Sequence, residues 1–192
     1  MDEERALFWK LAEAEHVRAR TFCRQLVGSR EDGDDLYHDT LVSALTKFVQ
    51  LRDRSAFRPW LYRIAVNNFK NRVKRSWWRK LLPLSREIEE TVGGDNPDAA
   101  HAARRRLQWA FRAITSEERA LVVLHEIEGW PIAELARLFR RNEGTVKMRL
   151  MRARRKMREA IVKRYYQSTV APMETTGESE DGLCVAVRPS ED

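Results

Sequence analysis

WPIAELARLFRRNEGTVKMRLMRARRKMREAIVK, residues 130 to 163, is the stretch around which the rest of this chain is read. Pro131 suits a first helical turn, where its missing N–H costs little. Ile132, Leu135, Ala136, Leu138 and Phe139 recur at three- and four-residue spacing, which makes one face apolar. Arg140-Arg141-Asn142-Glu143-Gly144 interrupts that period. From Thr145 a second helix is predicted, with Val146, Leu150, Met157 and Ile161 toward a core and Lys147, Arg149, Arg152, Arg154, Arg155, Lys156 and Arg158 on its other sides. Helix, tight turn and basic helix form the helix-turn-helix pattern, whose second helix enters the DNA major groove. The plainer reading is an amphipathic helical pair with a solvated charged face.

The surrounding charge favours a polyanionic partner. The 192 residues carry a formal net charge of +7, unevenly placed. Between Trp130 and Arg164 twelve basic residues face three acids, and between Arg52 and Lys80 ten face Asp53 alone. Cys23 and Cys184 form no CxxC or zinc spacing, which points to a reducing compartment. No apolar run reaches the roughly 18 residues of a membrane span, and the acidic MDEER start is unlike a signal peptide, so a soluble cytoplasmic protein without membrane insertion is expected. Nothing asks for a cofactor or a metal. His125-Glu126 is not HExxH, since Gly129 stands where the second His belongs. His38 and Asp39 are helix neighbours that point in different directions, so acid–base chemistry has no support there.

Upstream, residues 2 to 27 read as one helix with Leu7, Phe8, Leu11, Ala14, Val17, Phe22 and Leu26 as its stripe, stopped by Gly28. The acidic turn from Ser29 to Asp35 leads into a helix from about Asp35 to Phe48. Leu36, Thr40, Leu41, Ala44, Leu45 and Phe48 face inward, leaving Tyr37, His38, Asp39 and Lys47 for solvent or a protein partner. A connector, Leu51 to Phe57, precedes a helix from about Pro59 to Trp78, PWLYRIAVNNFKNRVKRSWW, with Leu61, Ile64, Ala65 and Val73 inward. Its basic residues are interleaved with Asn67, Asn68 and Asn71 and with aromatics. Cations meet phosphates, Asn amides pair with base edges, and exposed aromatics stack on unpaired bases. Trp60 and Tyr62 are equally good core candidates.

Residues 81 to 100 contain Pro83, Gly93, Gly94 and Pro97, and five acids against Arg86, which reads as an extended acidic linker. A second helical unit covers 101 to 166. Leu107, Ala110, Phe111 and Ile114 mark one helix, and Thr115-Ser116-Glu117-Glu118 caps another that ends near Gly129. Residues 167 to 192 carry six acids against Arg188 and no sustained period, so a disordered acidic tail is expected. A sharper possibility is that this tail folds back on the basic helix and weakens DNA binding.

Two all-helical units, each ending in a basic element and joined by an acidic linker, resemble sigma-70-type initiation factors, most closely the extracytoplasmic-function (ECF) group. FRPWLYRIAVNNFKNRVKR is very similar to that family's W-L-Y-R-I-A-x-N-x-x-x-[ND] signature, and DLYHDTLVSALTKF looks like region 2.1–2.2. In the second half EGW, ELA, GTVK and RARRKM fall in the order of region 4. The resemblance covers about residues 5 to 164. It implies an all-α protein of two small domains, region 2 in residues 1 to 80 and a region 4 helix-turn-helix in 101 to 166. It implies no enzyme, but an alternative sigma factor that takes core RNA polymerase to promoter DNA.

Region 2 would open the −10 element and hold unpaired bases through Asn67 and Asn71, with Arg63, Lys70 and Lys74 alongside. The loop carrying Leu51, Arg52, Ser55 and Phe57 would form the pocket for a flipped base, where stacking offsets an unpairing cost of about a few kcal/mol. Region 4 would read the −35 duplex through Arg140, Gly144, Thr145, Lys147, Met148, Arg149, Met151, Arg152 and Arg155, with backbone N–H groups at Glu143, Gly144 and Thr145 meeting a phosphate. Asp35, Tyr37, His38, Asp39 and Lys47 would dock on the polymerase β′ clamp helices, and region 4 on the β flap. The linker would lie in the RNA-exit path, and an anti-sigma factor would mask both DNA faces. Many relatives have a small polar residue where Met148 stands, so a thymine-methyl contact replaces a base hydrogen bond there. Arg140 holds a turn position that helix-turn-helix domains usually give to Gly, which predicts a looser turn or a phosphate contact. The competing assignment is a stand-alone helix-turn-helix regulator with an N-terminal ligand or dimerisation domain.

Overall fold

Helix α1 (Asp2–Val27) ends where Gly28 adopts φ 85° and donates its N–H to Arg24 O at 2.7 Å. The reversal brings α2 (Arg30–Lys47), capped by Ser29, back along α1. In the computed structural model, which describes residues 2–80 and 97–169 (without the side chains of 77–80, 97–102, 104, 105 and 165–169), every regular element is helical. Two short 3₁₀ turns, Phe48–Gln50 and Arg54–Ala56, lead into α3 (Phe57–Lys80). The second half contains α4 (Pro97–Arg112), α5 (Ser116–Val122) running on as a π turn (Val123–Ile127), α6 (Ile132–Phe139) and α7 (Glu143–Thr169).

The first half is held by a close helix crossing and an aromatic knot. Gly33 is buried in α2, and a Cβ there would lie 2.4 Å from Arg24 Cα. Next to it the Asp34 carboxylate accepts from Arg20 (2.9 and 2.7 Å) and Arg24 (2.7 and 2.8 Å). These paired guanidinium hydrogen bonds hold the carboxyl far below the usual carboxylate range. Phe8, Phe48 and Phe57 meet edge to face at centroid distances of 5.3 to 6.0 Å. In the second half Thr115 and Glu118 form a reciprocal capping box, and Glu118 reaches Lys156 Nζ at 2.7 Å, which ties α5 to α7.

Several expectations are corrected. The acidic turn is the first part of α2, because Ser29 caps the helix five residues earlier than expected. α3 begins at Phe57, so Pro59 sits in its first turn as its third residue. Pro131 is the residue before α6, not within it. α4 starts at Pro97, so residues 97–100 belong to a helix, and α7 extends to Thr169. Leu7, Val17, Val73, Leu107 and Ile161, expected inward, are exposed, because the buried stripe of a long helix covers only the part that meets a neighbour. Tyr62 is fully buried and Trp60 packs against the core, which settles both as structural. The tether expected at 81–96 and the tail at 170–192 lie outside the described residues, as do the side chains of Trp77 and Trp78.

The two halves pack on each other. Tyr62 of α3 meets Trp130 at 5.0 Å between centroids, and Arg58 lies 4.8 Å over the Trp130 ring. Arg119 of α5 rests 4.1 Å over Phe111 and donates to Gln25 O of α1 at 3.3 Å, and burial pushes its guanidinium down to about 10. Across this seam the polar fit is incomplete. Among the described residues, Gln25 Oε1, Tyr62 OH, Arg119 Nε and Trp130 Nε1 are buried without a hydrogen-bond partner, while Glu15 Oε2 and Arg58 Nε face each other as an ion pair at 3.7 Å, too long for a hydrogen bond. Such groups cost about 1–3 kcal/mol each when left unmatched.

Candidate nucleic-acid interface

Helical spacing puts Arg63, Asn67, Lys70, Asn71 and Lys74 on one stripe of α3. Asn67, Asn71 and Lys74 are exposed, while Arg63 and Lys70 are half-buried. The rest of the polar face serves the fold. Asn68 Nδ2 donates to Ser43 Oγ at 3.3 Å, and Arg72 binds Asp32 O at 3.0 Å and Asp35 at 3.4 Å, so both pin α3 to α2. The buried positions of α3, among them Leu61, Ile64, Ala65 and Phe69, force the Asn67 stripe outward. Arg63 is turned toward the other half: it donates to Leu138 O at 3.0 Å and Arg137 O at 2.8 Å, the carbonyls ending α6. Burial, with Arg140 nearby, pushes the Arg63 guanidinium below its usual value.

The connector from Leu51 to Phe57 divides by direction. Arg52 and Ser55 are exposed, but Leu51 and Phe57 are buried in the aromatic knot, so those two shape the loop from beneath instead of lining its outer surface. Asp53 orders the turn, accepting from Ser55 N at 2.9 Å and Ser55 Oγ at 2.6 Å, which lowers its own pKa. Arg54 stacks 3.9 Å over Phe48 and donates to Phe48 O at 2.6 Å. Neither role was legible beforehand, although D-x-S is an Asx-turn signal.

The helix-turn-helix forms as read, with a tighter turn than expected. Arg140 adopts the left-handed conformation, φ 53° and ψ 51°, that Gly would take without strain, and Arg141 N–H closes on Ala136 O at 2.9 Å. Asn142 then caps α7, its Oδ1 accepting from Thr145 N at 2.7 Å. The Thr145 N–H is therefore occupied, leaving those of Glu143 and Gly144 for an anion. Val146, Leu150 and Ala153 are buried, and this turns Lys147, Met148, Met151, Arg152 and Arg155 into a continuous exposed stripe with Gly144. Arg149 stands off that stripe, half-buried and paired with Glu117 of α5. Arg154 pairs with Glu126.

On α2, Asp35, His38, Asp39 and Lys47 are exposed as expected. Tyr37 is buried, with its hydroxyl 3.0 Å from His16 Nδ1, so it supports the surface from inside. Val42, 54% exposed one turn beyond Asp39, is an apolar member of this face that apolar periodicity alone could not separate from core.

The described residues include no cluster of His, Cys, Asp or Glu able to hold a metal, and no helix long and apolar enough to cross a membrane. Residues 11–79 match the model of sigma-70 region 2, and residues 104–157 that of sigma-70 region 4. The chain is 30% identical over 154 residues to the ECF RNA polymerase sigma factor SigM of Mycobacterium tuberculosis, covering 80% of this chain and 76% of that one. It is 31% identical over 137 residues to the ECF RNA polymerase sigma-E factor of Salmonella typhimurium, covering 64% and 70%. Its fold is similar to that of the sigma factor RpoE from Bartonella quintana, solved in complex with the anti-sigma factor NepR (TM-score 0.57, 20% identity, 84% and 95% covered). It is also similar to CnrH in complex with the cytosolic domain of CnrY (TM-score 0.57, 24% identity, 81% and 88% covered).

Proposed function

This chain belongs to the ECF group of sigma-70 factors, and from that premise we propose how its own residues direct core RNA polymerase to promoters. The observation that carries the reading is the pairing of two different basic stripes. The α7 stripe suits a duplex major groove, with long cations for phosphates and Met148 and Met151 for thymine methyls. The α3 stripe mixes amides with cations beside a turn ordered by Asp53, a combination suited to splayed single-strand bases. A dimerising regulator has no use for the second stripe.

In this reading Asn67 and Asn71 bind unpaired −10 bases, Lys70 and Lys74 follow the strand, and Arg52 and Ser55 form the rim of the base pocket. Lys147, Met148, Met151, Arg152 and Arg155 read the −35 duplex, and Arg140 with the Glu143 and Gly144 amides holds a phosphate. His38, Asp39, Val42 and Lys47 dock on the β′ clamp helices of the polymerase and region 4 on the β flap, and an anti-sigma factor covers the same faces. The protein supplies no catalytic group. It works in the cytoplasm, where the polymerase and chromosome are.

Co-elution with core polymerase and permanganate probing of the −10 strand test this together. Asn67→Ala keeps co-elution and loses thymine reactivity. A stable homodimer that ignores the polymerase favours the regulator instead.

A further inference from the structure

We propose that residues 183–187 dock as an extended segment in an apolar groove of region 4, and that the acids flanking them then restrain the recognition helix from binding DNA. The groove has a volume of about 410 Å³ and lies between the end of α5 and the distal half of α7. Val122, buried, and Met157, half-buried, form its floor, and Ile161 and Val162 its exposed wall. Glu126, Arg154 and Arg158 complete the rim. Burial fades along the apolar stripe of α7: Ala153 is fully covered, Met157 partly, and Ile161 is 36% exposed. The reason is length, since α5 with its π turn is less than half as long as α7 and the chain then reverses at Gly129. Ile161 continues a core stripe that the helices of region 4 leave uncovered.

Residues 170–192 lie outside the described residues, and their sequence matches this groove. LCVAV, residues 183–187, is their longest apolar run, and in an extended chain Leu183, Val185 and Val187 share one face. Glu178, Glu180 and Asp181 precede the run, Glu191 and Asp192 follow it, and Arg188 is the one base nearby. Distal α7 carries the opposite charge, with seven basic residues from Arg152 to Arg164 against Glu159. Reach is no obstacle. The last seven residues of α7 carry the chain roughly 10 Å past Val162, and the 13 residues 170–182 can span more than about 40 Å. A free partner is a poorer match. Seven residues line the groove, against about 20–30 a side in a stable interface, whereas a tethered segment meets it at an effective concentration on the order of millimolar.

Docking sets the flanking acids against Arg154 and Arg158. Arg152 and Arg155 stand beside them on the stripe assigned to the −35 duplex, and the restraint on DNA rests on that assignment. Carboxylates held there compete with phosphates for the same cations, so the docked segment lowers DNA affinity without touching a base-reading side chain.

The test uses the full chain with a nitroxide on its native Cys184, which points away from the groove in the docked strand; Cys23 is buried and escapes labelling. In methyl spectra the Met157, Ile161 and Val162 signals should lose most of their intensity to the label, while Val42 on α2 keeps its own. Leu183→Asp combined with Val185→Asp should restore the lost signals. Both positions lie beyond α7, and circular dichroism checks that the helices persist. Affinity for a random duplex of about 30 base pairs is the second readout. The double substitution adds two negative charges, which by themselves weaken DNA binding. Release of the segment should instead strengthen it about fivefold at low salt, the worth of one exposed ion pair. Methyl signals indifferent to the label, or to the double substitution, overturn the docking. Broadening that passes from labelled to unlabelled chains in a mixed sample also overturns it, in favour of a second copy. Signals that respond while duplex affinity stays level or falls overturn the restraint. If both readouts respond but the chain directs no transcription with core polymerase, the promoter reading falls and the docked segment stands as a control on duplex binding alone.

Discussion

Gly33→Ala is the substitution that the α1–α2 crossing tolerates least. The added Cβ would stand 2.4 Å from Arg24 Cα and 2.8 Å from Arg24 N, both backbone atoms that no side-chain rotation can move. Carbon atoms in contact sit about 3.5–4.0 Å apart, so the helices must part by more than about 1 Å. Overpacking costs about 1–3 kcal/mol, and a backbone clash belongs at the upper end. Alanine recovers up to about 1 kcal/mol of that through its better helix propensity. The net loss is about 2 kcal/mol, which for a unit of this size lowers the melting temperature by roughly 8–16 °C. The displaced α2 also draws Asp34 away from Arg20 and Arg24 and shifts the His38–Asp39 face, so affinity for core polymerase should fall with stability. Circular dichroism melts and co-elution with polymerase check both effects. A variant that melts at or above the parent would refute the close crossing, because propensity alone would then have decided the outcome.

Asp34→Asn should lower stability at pH 7 by about 1 kcal/mol or less, as expected for a partly exposed ion pair. Because the folded carboxyl titrates below its unfolded value, that contribution is present above the ordinary carboxylate range and disappears as pH falls through the depressed value. Melts at pH 7, 4 and 2 should therefore converge, and a difference that grows in acid would contradict the assignment. Arg140→Gly relieves a left-handed non-glycine residue and should raise stability by about 0.5–1 kcal/mol. If Arg140 holds the phosphate proposed for it, the same change removes that contact, and the salt slope of −35 binding should flatten by ~0.9. Thr115→Ala deletes half of the capping box at α5 and should cost about 1 kcal/mol in a thermal melt.

The helical content and the helix-turn-helix were legible because they rest on local rules. Val146 and Leu150 return at helical spacing, Gly28 stops a helix, and Thr115 with Glu118 caps one. What could not be read depends on contacts distant in sequence. Tyr37 looked like surface on α2 until α1 placed His16 against its hydroxyl, and Leu51 and Phe57 looked like loop until the aromatic knot enclosed them. Arg63 and Arg149 sit within the reading patterns, yet their partners Leu138 O and Glu117 lie 75 and 32 residues away. Arg140 was expected to loosen its turn. Instead it adopts the strained conformation, because the carbonyls of Ala136 and Arg137 capture its own amide and that of Arg141.

The most direct test of the account is run-off transcription from fragmented genomic DNA with purified core polymerase, with and without the full chain. The account predicts transcripts from a discrete set of start sites only when the chain is present, lost with Asn67→Ala although that variant still co-elutes with core polymerase. A correctly folded chain that leaves the transcript pattern of core polymerase unchanged would contradict it.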